Sequence, residues 1–200
     1  MPPKAKFTRE EIIETALNIA RTQGIEAVTA RELGKVMGSS ARPIFTVFQS
    51  MDEVLEETLK SAKGIYRQYV EQGLSETPAF RGVGLAYIRF AIEEEKLFRL
   101  LFMNEQKPVD SIEQILMLID ESYDAILRSV EEPYHLQRED AKRLYQHLWI
   151  YSHGIATLCA TGMYTFTQEE IEKQLTEVFI GLLKSSMKGI IGYDTDGANH

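Results

Sequence analysis

The sequence predicts an all-α fold of about nine helices, built as one domain or as a small domain attached to a larger one. Three observations carry this. Apolar residues recur three and four positions apart almost throughout, and no stretch shows the two-residue alternation bounded by turn pairs that a strand needs. Helix starts are written out as a Ser or Thr followed three residues later by Glu, at Thr8, Thr29, Ser50 and Thr167. Finally, 200 residues that are 44% apolar bury a sizeable core, and 13 Gly with 6 Pro leave no linker-like or collagen-like bias.

The first helix follows from Thr8-Arg9-Glu10-Glu11, with Phe7 and Ile12 placed as a hydrophobic staple. It turns Ile12, Ile13, Ala16, Leu17 and Ala20 to one side and stops at Gly24, which takes a left-handed cap without strain. Thr29 and Glu32, flanked by Val28 and Leu33, open a second helix to about Met37 that buries Leu33, Val36 and Met37 and ends at Gly38. Ser39 or Ser40 caps a third segment to about Val47, with Pro43 in the first turn, where no intrahelical donor is lost. From Met51, after the cap at Ser50, a longer helix runs to about Gln72, with Val54, Leu55, Leu59, Ala62, Ile65, Tyr66 and Tyr69 inward, and Gly73 to Thr77 breaks it.

Pro78 opens a fifth helix to about Glu94, and a short sixth covers Lys96 to Met103. A seventh spans Ser111 to Val130, followed by a loop from Glu131 to Leu136. The last two run from Arg138 to Gly162 and from Gln168 to Lys188, the latter capped by Thr167 and Glu170 between Phe166 and Ile171. The expected division is 1–50, 51–190 and a polar, disordered tail over 191–200.

Several classes are excluded at this stage. One cysteine, Cys159, forms no internal disulfide, which suits a reducing compartment, and the amino terminus turns acidic where a signal peptide needs an apolar run. Leu144 to Gln168 carries no Asp, Glu, Lys or Arg, but its His, Gly, Ser and Thr content reads as a buried helix and not as a membrane span. A cytoplasmic protein is expected. His147, His153 and Cys159 are spaced by six and so lie on different faces of one helix, unsuited to converge on a metal. No Gly-rich phosphate loop and no Gly-x-Ser-x-Gly occurs, so neither an enzyme nor a cofactor is expected.

Charge divides the chain. Residues 1–50 hold 7 Lys and Arg against 5 Asp and Glu, a net of +2, whereas 51–200 hold 15 against 25, a net of −10. The two parts therefore meet different partners. Val28 to Phe48 has the spacing of a helix-turn-helix, whose second helix enters the major groove while the start of the first faces the sugar-phosphate backbone.

Ile12, Ala16, Gly24, Val28-Thr29, Leu33, Gly38, Ser40, Ile44-Phe45, Phe48, Ser50 and Asp52-Glu53-Val54-Leu55 form a string of caps and packing residues at fixed spacing. On these residues, Thr8 to Leu55 resembles the DNA-binding domain of the TetR family of bacterial transcriptional regulators. The resemblance implies a ligand-responsive regulator, more often a repressor, that binds palindromic operator DNA as a homodimer. The family's usual Tyr and Lys phosphate anchors are replaced by Phe45 and Met51, its frequent His by Val47, and its Gly-Thr pair by Arg42-Pro43. Affinity then falls to other groups, among them Lys4, Lys6, Arg31 and Lys35. The DNA contacts expected are Thr29, Arg31, Lys35, Ser39, Ser40, Arg42 and Thr46. Arg42 is the best-placed base reader, because a guanidinium grips guanine O6 and N7 with two hydrogen bonds; the plainer reading is a solvated surface Arg. Phe45 and Phe48 are expected to pack the small core.

The resemblance also implies pairing through the last two helices. Gly154, Leu158, Thr161, Leu175, Phe179, Leu182 and Leu183 are the interface residues expected, against the plainer reading of a monomeric core. The middle of the chain is rich in aromatics and Met, which at helical spacing usually fill a core; the resemblance implies instead that Tyr66, Tyr69, Phe90, Phe98, Phe102, Met117, Tyr123, Trp149 and His153 line a site for an unknown small apolar or amphipathic effector. The rival to a DNA reader is a helical protein-interaction adaptor that has lost DNA binding.

Overall fold

A computed structural model describes residues 6–104 and 108–188, so the expected tail lies outside the described residues. Among these residues the regular structure is helical: α1 Arg9–Gln23, α2 Ala30–Val36, α3 Met51–Leu74, α4 Ala79–Glu93, α5 Glu95–Phe102, α6 Ile112–Ile119, α7 Tyr123–Tyr134, α8 Arg138–Ala160 and α9 Gln168–Lys188, with 3-10 turns at Ile25–Ala27 and Ile44–Thr46. None of these helices is long and apolar enough to cross a membrane. The chain groups into two compact units, residues 1–69 with 89–108 and residues 70–88 with 109–200, so α3 and α4 each begin in one and end in the other.

The caps read from the sequence organise the first unit. Thr8 Oγ1 accepts from the Glu11 N–H at 3.1 Å, and the Glu11 carboxylate accepts from the Thr8 N–H at 2.8 Å. Ile12, Ala16, Ile19 and Ala20 are then buried along α1. Gly24 closes it at φ 97° and ψ 162°, an extended conformation on the positive side instead of the left-handed cap expected, and one that glycine alone adopts readily. Ser50 Oγ accepts from the Glu53 N–H at 3.3 Å, but the Glu53 carboxylate reaches one residue further back, to the Gln49 N–H at 2.8 Å. The buried stripe of α3 is Val54, Thr58, Ala62, Tyr66 and Val70, a strict four-residue spacing. Leu55, Leu59, Ile65 and Tyr69 are its half-buried flanks. Thr58 fits this stripe because its hydroxyl donates to the Val54 carbonyl at 2.7 Å.

In the second unit the end of α3 and the start of α4 meet backbone to backbone. A Cβ on Gly73 would lie 2.6 Å from the Gly82 carbonyl oxygen, so both positions require glycine. The seventh helix expected over 111–130 is two helices. Asp120 leaves the helical region at φ −113° and ψ 98°, is 3% exposed, and accepts a hydrogen bond from the Tyr145 hydroxyl on α8. α7 then runs into the expected loop as far as Tyr134, with Pro133 in its last turn, and His135 at φ 52° supplies the left-handed cap. At the far end Thr167 Oγ1 accepts from the Glu170 N–H at 3.2 Å and the Glu170 carboxylate from the Thr167 N–H at 2.8 Å.

Candidate nucleic-acid interface

The segment after α2 folds back on a glycine. A Cβ on Gly34 would lie 2.9 Å from the Ser40 carbonyl carbon and 3.0 Å from the Ala41 nitrogen, and the Ser39 N–H donates to the Gly34 carbonyl at 2.7 Å. Ile44 and Phe48, 1% and 2% exposed, pin the segment to the first unit's core. Between and around these anchors Ser40, Arg42, Phe45 and Thr46 face solvent.

The third helix expected over these residues is instead a short 3-10 turn. The Ile44, Thr46 and Val47 N–H groups donate to the carbonyls three residues earlier, at 3.1, 3.2 and 3.0 Å. Pro43 starts the turn at φ −60° and ψ −28°, and its ring restricts the backbone of Arg42 before it. Neither serine caps the turn. Ser39 Oγ accepts from Lys6 Nζ at 3.1 Å instead. Two packing expectations also change, since Val36 and Phe45 are 50% and 48% exposed.

Each expected DNA contact has a definite position. Thr29 is exposed at the start of α2, where its oxygen accepts from the Glu32 N–H at 3.2 Å and its own proton remains to be donated. Lys35 is exposed but paired with Glu32 at 3.1 Å. Thr46 donates to the Pro43 carbonyl at 2.6 Å, so only its lone pairs remain. Arg31 and Arg42 are exposed, with no ion pair among the described residues. Leu33 to Met51 contains no Asp or Glu, so the cations of this stretch meet no carboxylate within it.

Other cations hold the unit together. The Arg9 guanidinium stacks on the Phe48 ring at 4.3 Å and bonds Glu53 at 2.8 Å. The Gln49 N–H, and then Arg9, hold the Glu53 carboxyl below its ordinary range. At the other end of α1, Arg21 grips Glu94 with two bonds, one of them Nε to Oε2 at 2.6 Å. Glu94 is 3% exposed, and its neighbour Glu93 accepts from the Tyr69 hydroxyl at 2.6 Å. Burial, and then this bond to Glu93, push the Tyr69 hydroxyl well up. The Arg21–Glu94 pair spans 73 residues, and nothing local in the sequence announces it.

The residues expected around an effector fall into both units. In the first, Tyr66 meets Phe90 and Phe102 edge-on at 5.3 and 5.1 Å, and Phe98 lies 5.2 Å from Phe102. Tyr69 meets Phe90 at 5.3 Å. In the second, Trp149 stacks on His153 at 5.1 Å, and Tyr87, which is not among the residues expected there, bonds His153 Nδ1 at 2.8 Å. Burial holds His153 below its ordinary pKa and pushes Tyr87 well up, so the neutral imidazole accepts and the phenol donates. Tyr123 packs on Tyr145 at 5.9 Å; burial, and then the Glu113 carboxylate, push its hydroxyl up to about 12. Met117 departs from the expectation, being 59% exposed beside Leu118 on the outer side of α6.

Two buried polar atoms on α8 lack hydrogen bonds among the described residues. Trp149 Nε1 is the first. Thr157 Oγ1 is the second. Thr15, Thr22, Thr58 and Thr176 each donate to the carbonyl four residues back, and Thr157 does not.

Of the expected pairing residues, Gly154 is exposed and Leu158 and Thr161 half-buried on one side of α8, in line with Ile150, which is 46% exposed. On α9, Leu182 and Leu183 are half-buried and Ile180 is 43% exposed. Leu175 belongs to the unit's own core, 6% exposed and 3.6 Å from where a Cβ on Gly84 would lie. Phe179 packs on Tyr134 at 5.1 Å and Phe80 at 6.0 Å. Periodicity alone does not separate these from their outward neighbours.

Comparison with known proteins adds one finding. Residues 80–182 match a family model described as tetracyclin repressor-like, C-terminal domain. No curated protein matches the chain.

Proposed function

Because the chain belongs to the tetracyclin repressor-like family of regulators, we propose that it is a ligand-responsive transcriptional repressor that binds palindromic operator DNA as a homodimer in the cytoplasm. Residues 1–50 read the DNA and 51–190 respond to an effector and pair. The observation that carries this reading is the 39–46 segment: Gly34, Ile44 and Phe48 fix it from inside, and Arg42 stands in solvent within a stretch free of carboxylates. A rigid, outward, cationic turn is what a duplex can meet.

In this reading Thr29 donates to a phosphate, Arg31 and Lys35 add charge along the backbone, and Arg42 grips a guanine edge. Ser39, Ser40 and Thr46 complete the contacts. Pairing runs through the outward faces of α8 and α9, around Ile150, Gly154, Leu158, Thr161, Ile180, Leu182 and Leu183. A two-fold dimer then sets the two turns about 34–36 Å apart, one turn of DNA, or a multiple of it.

The effector is a small apolar or amphipathic molecule received by the aromatic interior, where the indole N–H of Trp149 and the hydroxyl of Thr157 remain to be satisfied. It releases DNA only by favouring the separated heads over the DNA-competent arrangement, by about 5.5 kcal/mol for a shift from 1:99 to 99:1.

Selection of bound sequences from random duplex DNA tests the reading. The expected product is an inverted repeat with half-sites one helical turn apart, or a multiple, bound by a species that sediments at twice 22.8 kDa. Recovery of no preferred sequence, with a folded protein, would favour a protein-interaction adaptor instead.

A further inference from the structure

We propose that Phe45 reads the 5-methyl group of a thymine in the major groove, an inference that rests on the DNA-binding reading above. The turn puts its apolar residues on opposite sides. Ile44 and Phe48 are 1% and 2% exposed, whereas Phe45 between them is 48% exposed and flanked by the solvent-facing Arg42 and Thr46. The outward position is built in by the bond from the Phe48 N–H to the Ile44 carbonyl at 2.9 Å, which closes the turn over the buried pair and leaves Phe45 on the far side.

The occupant of this surface follows from charge and chemistry. The exposed Arg42 beside this ring, in a stretch with no carboxylate from Leu33 to Met51, fits an anionic surface, and the DNA-binding reading makes that surface a duplex. On the wall of the major groove the apolar group within side-chain reach is the thymine methyl, and a phenylalanine ring is one of its known complements. The ring cannot anchor a phosphate, since it carries no donor. Arg42 and Phe45 are three residues apart, a span of at most about 10 Å, and base pairs are stacked about 3.4 Å apart, so the thymine lies within about three base pairs of the guanine that Arg42 grips.

The experiment uses the full-length protein and the operator obtained by selection, with each thymine replaced singly by deoxyuridine. That exchange removes one methyl group and keeps every hydrogen-bonding atom. The expected result is a single thymine per half-site whose methyl contributes about fourfold in affinity, the worth of one buried carbon. Phe45→Ala binds the thymine and deoxyuridine operators equally, and Phe45→Tyr, which keeps the ring, retains the methyl preference. Two results overturn the inference: wild type indifferent to every methyl, or folded Phe45→Ala that keeps the wild-type methyl preference, whatever its overall loss of affinity. If selection yields no operator, the DNA-binding reading falls and this inference falls with it.

Discussion

In the segment 29–48 the cations Arg31, Lys35 and Arg42 and the ring of Phe45 stand in water, whereas in the second unit the Asp120 carboxylate, the Tyr87 and Tyr145 hydroxyls and much of the His153 imidazole are drawn inside. The two regions spend their chemistry differently. An outward cation keeps its hydration until a partner displaces it, so it adds affinity and contributes little to stability. A buried carboxylate or phenol has lost its water at folding, so each must be bonded within the protein, and its loss is felt in stability first. Substitutions therefore sort by region: those in the first should alter binding, and those in the second should alter folding.

The substitution that cuts across this division has the largest expected effect. Gly34→Ala forces a methyl against the Ser40 and Ala41 backbone, which cannot yield as a flexible side chain would, and should cost about 2–3 kcal/mol in urea unfolding. It should also displace the DNA-reading turn, so that operator affinity falls more than the stability loss alone explains. A stable variant with unchanged affinity would show that the close approach of 39–41 to α2 is dispensable.

Next is Arg21→Ala, which strands the buried Glu94 carboxylate. Breaking a buried pair costs about 3–5 kcal/mol, but the guanidinium is half-exposed, so about 2 kcal/mol is expected. The Arg21→Ala, Glu94→Gln double variant should regain part of that loss in the same urea titration. Tyr145→Phe removes a hydrogen bond to the buried Asp120 and should cost about 1–2 kcal/mol with no change in operator affinity once folded.

The smallest effect is on pH. The folded protein holds His153 below its free pKa of about 6.5, so the unfolded chain binds the proton more readily. The stability this group contributes is therefore complete above that pH and is lost as pH falls through it. Replacing His153 by Gln should flatten the fall in midpoint denaturant concentration between about pH 7 and 5, and an unaltered slope would remove His153 from the account.

Local chemistry was legible in the sequence, and distant chemistry was not. Thr8, Thr29, Ser50 and Thr167 announced four helix starts because a cap and its partner lie three residues apart. The break at Asp120 was hidden because the Tyr145 hydroxyl that bonds its buried carboxylate arrives from 25 residues away. The same holds for Glu94, whose partner precedes it by 73 residues, and for Gly73, whose need for glycine is set by the backbone of Gly82. At the candidate interface, the outward placement of Arg42 followed from the spacing, while the outward Phe45 and Val36 did not, since an apolar residue gives no local sign of whether anything covers it. The 3-10 turn is readable in part, since a proline restricts the backbone of the residue before it, here Arg42.

The central claim is that the turn carrying Arg42 meets DNA, and the most direct measurement is a salt titration of operator binding for wild type and Arg42→Ala side by side. The account predicts affinity that falls steeply with added salt for both proteins, and for Arg42→Ala a loss of preference at one base pair per half-site worth about 1–3 kcal/mol. Equal, feeble binding to every duplex, unchanged by the substitution, would contradict it.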